Sequence, residues 1–112
     1  MESQRQQKIA RLLQKDLGEI LSEKARNNYG NVLITVTKVH VTSDLSIAKI
    51  YLSLFAVADK KALLKGIQNS HKEIRLLLGN RIRHQLRVVP ELAFFEDDTL
   101  DYIENIDNLL RQ

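Results

Sequence analysis

The chain has 112 residues, 17 Lys and Arg against 14 Asp and Glu, and 44% apolar content, so it is read as one domain, 1–112, able to bury a core unaided. The absence of Cys excludes disulfides, thiolate zinc sites and Cys nucleophiles, and no apolar run reaches the length of a signal peptide or a membrane span, so a cytoplasmic protein with no membrane partner is expected. The net charge of +3 conceals a division: residues 1–90 carry 16 basic and 7 acidic side chains, residues 91–112 carry 1 and 7, and such asymmetry points to a polyanionic partner.

From about Ser3 to Arg26, Ile9, Leu12, Leu13, Leu17, Ile20 and Leu21 recur at spacings of three and four, which predicts an amphipathic helix. Ser3 is its expected N-cap, and Asn27-Asn28-Tyr29-Gly30 its stop signal. Arg5, Lys8, Arg11 and Lys15 place basic charge near the positive end of the helix dipole. That is locally unfavourable and hints at a partner.

Val32 to Thr42 is rich in β-branched residues, with apolar positions at 32, 34 and 36 and again at 39 and 41. The phase slips near Thr37-Lys38, so a bulge or bend is expected there. After a turn at Ser43-Asp44-Leu45-Ser46, Ile47 to Phe55 forms a second strand, with Ala48, Ile50, Leu52 and Leu54 on one face and Lys49, Tyr51 and Ser53 on the other. The short connection makes the pair an antiparallel hairpin. A lone strand Tyr is most simply a cross-strand packing residue, although Tyr51 with Lys49 is also the composition of a base-stacking surface.

Asp59 is the expected N-cap of a helical stretch carrying Leu63, Leu64 and Ile67. The period weakens at Gln68-Asn69-Ser70-His71 and resumes through Ile74, Leu77, Leu78 and Ile82, so either one kinked helix or two joined helices fits. Leu86 to Phe95 reads as extended chain with Pro90 at a strand start or edge. A short last helix follows Asp97-Asp98-Thr99, with Leu100, Ile103, Ile106 and Leu110 on its apolar side. The order α-β-β-α-α-β-α describes an α+β domain whose helices cover a three-stranded sheet. Its third strand adds by a crossover, so the sheet can be mixed.

Catalysis has little support. His40, His71 and His84 fall on different elements without ligand spacing, and no phosphate loop, nucleophile elbow or zinc helix is present. Asp97, Asp98 and Asp101 are explained more simply by a helix cap and a solvated loop than by a cation site. No cofactor is expected. By contrast, Lys60 to Arg87 holds eight basic residues against one acid, Glu73. On a helical wheel Lys61, Lys65, Lys72 and Arg83 cluster opposite Leu63, Ile67, Ile74 and Leu77. Gly79 lies on the polar side, where a missing side chain can admit a backbone, or else it marks a helix end. Together with Lys8, Arg11, Lys38 and Lys49, this is a set suited to salt-dependent phosphate neutralisation.

The hairpin from Ile34 to Ser53, the Ile74-Arg75 pair followed by Leu78-Gly79, and Arg87-Val88-Val89-Pro90-Glu91-Leu92-Ala93-Phe94-Phe95-Glu96-Asp97-Asp98-Thr99-Leu100 closely resemble the bacterial ribosome-binding factor A family. The opening helix from Arg5 through Leu21 fits as well, so the resemblance spans about residues 3–110. It implies a type II KH-like domain with helices on one face of a three-stranded sheet. It also implies a non-catalytic factor that binds the free small (30S) ribosomal subunit and its 16S rRNA late in maturation, linked to rRNA processing and to growth in the cold. A monomer is expected. Like the family, the chain lacks a Gly-x-x-Gly clamp, but Ser70-His71-Lys72 stands where the family has an Ala-x-Gly kink. The segment from Gly79 to Pro90 is also longer than in many relatives, by His84-Gln85. The RNA-facing candidates are thus Lys8, Arg11, Lys38, Lys49, Lys65, Ser70, Lys72, Arg75, Arg81, Arg83 and Arg87. The alternative is a protein-interaction module that docks through the hairpin or the acidic last helix of residues 97–112.

Overall fold

The computed structural model describes residues 3–30 and 32–97. The expected last helix lies outside the described residues. Helix α1 runs Gln4–Asn28. Ser3 caps it as expected, in a reciprocal box: Gln6 N donates to Ser3 Oγ at 3.1 Å and Ser3 N donates to Gln6 Oε1 at 2.7 Å. Tyr29 N closes the helix on Ala25 O at 3.3 Å, and Gly30 then turns the chain away at φ +73°, a conformation open to glycine at little cost.

Strands β1 (Leu33–Val41) and β2 (Ile47–Phe55) form the antiparallel hairpin. Their register shifts between Val36 and Lys38, so Thr37 is the bulge that the slip in apolar phase predicts. The extra residue lets Ile34 and Val36 on one side, and Val39 and Val41 on the other, all face the core. Asp59 caps α2 (Lys60–Asn69) by accepting from Ala62 N at 3.1 Å. Helix α3 spans His71–Ile82.

The two helices are separate, joined at Ser70 with φ −94° and ψ 12°. One expectation is corrected. Leu77 does not share the inward face with Ile67 and Ile74; it is 39% exposed, and α3 buries Ile74, Leu78 and Ile82 instead. Buried side chains four residues apart leave Leu77 on the flank of that face.

Pro90 is buried directly before β3 (Glu91–Glu96). The extended strand therefore starts later than Leu86, and the stretch from Arg83 to Pro90 is irregular. Strand β3 pairs parallel with β2, giving the sheet order β1-β2-β3 and the mixed sheet that the crossover allows. One core joins Leu13, Leu17 and Leu21 of α1, Ile67 of α2 and Ile74, Leu78 and Ile82 of α3 to Ile50 and Leu52 of the central strand. Each such buried side chain contributes about 1.5–3 kcal/mol relative to exposure. The helices thereby cover one face of the sheet; on the other, Lys38, Lys49 and Phe95 are exposed and Ser53 is buried. This is the α+β, KH-like arrangement that the resemblance implies.

Candidate nucleic-acid interface

The junction between α2 and α3 is organised by Ser70. Its N–H donates to Gly66 O at 3.1 Å and Ile67 O at 3.0 Å, and its carbonyl accepts from Ile74 N at 3.0 Å. Its hydroxyl makes no capping bond to α3. Lys72, in the first turn of α3, projects into solvent beside it. One turn later Arg75 folds back over the chain entering β3. Its Nε donates to Val89 O and Pro90 O, each at 3.2 Å, and Nη2 donates to Val89 O at 2.7 Å. Charge-assisted bonds of this kind are stronger than neutral ones, so Arg75 fixes the irregular segment against α3.

The space left between α3 and that segment is a groove of about 670 Å³, whose lining includes His71, Lys72, Arg75, Leu76, Arg87 and Val88. Leu76 and Val88 are 66% and 69% exposed, so apolar surface lies beside the cations, and Glu91 adds one carboxylate to the lining. Among the described residues neither Lys72 nor Arg87 forms an ion pair. Such a groove offers positive charge to phosphates and apolar surface to sugars or bases. Gly79 borders it without being demanded by it: a Cβ there would meet Val89 Cγ2 at 3.5 Å, an ordinary contact. Helix α3 continues through Asn80 to Ile82, so Gly79 does not end it.

The remaining candidates are dispersed. Arg81 turns away from the groove towards α1, where Nε donates to Asp16 Oδ1 at 3.0 Å and Nη2 pairs with Glu19. Lys65 on α2 and Arg83 just past α3 are exposed, as are Lys8 and Arg11 on α1. Lys38 and Lys49 stand on the outer face of the sheet, away from the helices. The structure therefore brings Lys72, Arg75 and Arg87 to one groove, with Ser70 at the adjoining helix junction but not lining it, and disperses the other seven.

His71 was not among the sequence candidates, yet it touches both this groove and a smaller one along β3. There Gln68 Nε2 donates to Phe94 O at 2.9 Å. The adjacency of His71 to Ser70 is the one sequence signal for it. Lys24, also unremarked in the sequence, is buried and pairs with Glu73 Oε1 at 2.8 Å, tying α1 to α3. No periodicity marks a contact between residues so far apart. Asp97 accepts from Thr37 Oγ1 at 2.6 Å, while Asp98 and Asp101 lie outside the described residues. Among the described residues no group of three or more His, Cys, Asp or Glu is placed to hold a metal ion.

The family model described as ribosome-binding factor A matches residues 5–110. Ribosome-binding factor A of Flavobacterium johnsoniae is 51% identical over 111 residues, covering 98% of this chain and 85% of the relative. The crystal structure of ribosome-binding factor A from Thermus thermophilus superposes with a TM-score of 0.65 at 21% identity, covering 81% of this chain and 94% of that one. A homology model of the Thermus thermophilus protein, fitted into a cryo-EM map of its complex with 30S, gives a TM-score of 0.59 at 23% identity, covering 77% and 92%.

Proposed function

The chain belongs to the ribosome-binding factor A family, and from that premise we propose that it binds the free small (30S) ribosomal subunit through 16S rRNA and assists late maturation and rRNA processing without itself catalysing a reaction. It acts as a cytoplasmic monomer, and its 112 residues work as one KH-like unit. The observation that carries the reading to particular residues is the groove between α3 and the segment entering β3, where exposed Lys72 and Arg87 flank Arg75 and accessible apolar surface. The complex of the Thermus thermophilus relative with 30S supports the choice of partner. Arg75 holds the groove in shape, Lys72 and Arg87 meet phosphates, and Ser70 presents a hydroxyl where the kink approaches the RNA.

Sedimentation of the chain with purified small subunits across a salt series tests this. Binding should fall as salt rises. Lys72→Ala together with Arg87→Ala should weaken it at every salt concentration and flatten the salt slope by about one for each phosphate contact removed. Unchanged co-sedimentation of the double variant would overturn the assignment of the groove.

A further inference from the structure

The outer face of the sheet carries a second constellation. Lys38, Tyr51 and Phe95 are register partners, one from each strand, Lys38 opposite Tyr51 and Tyr51 opposite Phe95. The two rings stack with centroids 5.5 Å apart and planes 28° from parallel. Lys38 Nζ lies over the Tyr51 ring, 5.9 Å from its centroid. Lys49, two residues before Tyr51, is exposed on the same face. Phe95 is 41% exposed, although Leu92 and Phe94 of the same strand are buried.

Cross-strand packing accounts for the contact between the rings, but not for the aromatic surface left in solvent or for the cations beside it. We propose that this face is a platform for single-stranded RNA: a base stacks on the Phe95–Tyr51 pair while neighbouring phosphates lie at Lys38 and Lys49. Single-strand sites join aromatic faces, which accept any base, to cations that follow the backbone. Charge selects this occupant over a second copy of the chain. A two-fold contact through the face would set the same cationic patch against itself, whereas a polyanion is attracted by it. The proposal rests on the reading of the chain as an rRNA-binding factor and adds a site on the other side of the sheet from the junction groove.

The test uses the full chain and fluorescein-labelled hexauridylate, with binding read by anisotropy. Phe95→Ala, and Lys38→Ala with Lys49→Ala, should each weaken binding about ten-fold. Phe95→Trp should retain it. A 4-thiouridine hexamer should cross-link to peptides containing residues 51 and 95. Three results would overturn the platform: no binding of hexauridylate by the native chain, equal affinity in Phe95→Ala, or cross-links confined to α2 and α3. A chain that sediments as a dimer until Phe95 is replaced would also overturn it, in favour of a second copy. Failure of the functional reading looks different, since small subunits then fail to bind at all, whatever the oligonucleotide does.

Discussion

Arg81 on α3 and Asp16 on α1 form a strut between the two helices, with Nε 3.0 Å from Oδ1 and the Asp16 side chain only 13% exposed. Arg83, two residues later, is exposed and has no ion-pair partner among the described residues. Two arginines that look equivalent in the sequence are therefore expected to separate under mutation. Arg81→Ala leaves a nearly buried carboxylate without its main partner and should lower unfolding stability by about 1–2 kcal/mol. Arg83→Ala should alter stability by less than about 0.5 kcal/mol. Urea denaturation of both variants measures the difference, and equal losses would remove the strut's role.

This pair also explains what the sequence could and could not disclose. Local features were legible because their signals are local: Ser3 and Asp59 as caps, the bulge at Thr37 from a one-residue slip, and the break near Ser70 from a fading period. That β3 adds by a crossover, which allows a mixed sheet, followed from connection rules, but its pairing with β2 rather than β1 did not. The basic composition from Lys60 to Arg87 was equally plain, but its division was not. Whether an arginine faces solvent or a carboxylate depends on tertiary placement: Asp16 stands 65 positions from Arg81, and Arg75 is held by carbonyls of a segment that no motif ties to it. Phe95 was missed as a surface residue because adjacent Phe94 and Phe95 look alike until the alternation of β3 assigns them opposite faces.

Gln6 serves two structures with one amide. Its Oε1 accepts from Ser3 N at 2.7 Å, and its Nε2 donates to Val41 O on edge strand β1 at 2.8 Å, while the residue is 7% exposed. Gln6→Glu keeps the acceptor but sets a carboxylate oxygen against the Val41 carbonyl. It should cost about 1–3 kcal/mol at neutral pH, although Glu is favoured at this capping position. Acidification should narrow the deficit relative to the native chain, because a protonated carboxyl can again donate to Val41 O. Urea midpoints at neutral and acidic pH check this, and a deficit independent of pH would argue against the edge contact.

Two non-glycine residues hold left-handed backbone, Leu45 at φ 63° and Ala56 at φ 58°. Ala56 is exposed, so Ala56→Gly removes strain and loses little; a gain of up to about 1 kcal/mol in stability is expected. Leu45 is partly buried and packs against the core. Leu45→Gly relieves the same strain but forfeits about 1.5–3 kcal/mol of apolar burial, so its net effect should be a loss. Thermal denaturation of the two variants should therefore move in opposite directions, and movement in the same direction would contradict the different weights given to packing at these positions.

The hairpin turn gives stability a component tied to acid pH. Asp44 Oδ1 accepts from Thr42 Oγ1 at 2.7 Å, Ser46 Oγ at 2.7 Å and Ser46 N at 3.1 Å. These donors, led by the Thr42 hydroxyl, lower its carboxyl from the ordinary 3.8 to about 2. The folded chain thus holds the ionised form more firmly than the unfolded chain does. The stabilisation is complete above the ordinary carboxylate range and is lost as pH falls through it towards about 2. Asp44→Asn keeps an acceptor oxygen but carries no charge, so it should be less stable than the native chain at neutral pH. The gap should close as the solution is acidified across that window. Parallel thermal denaturation of the two chains measures it, and a gap that persists unchanged at the acid end would show that the turn draws nothing from the ionised carboxylate.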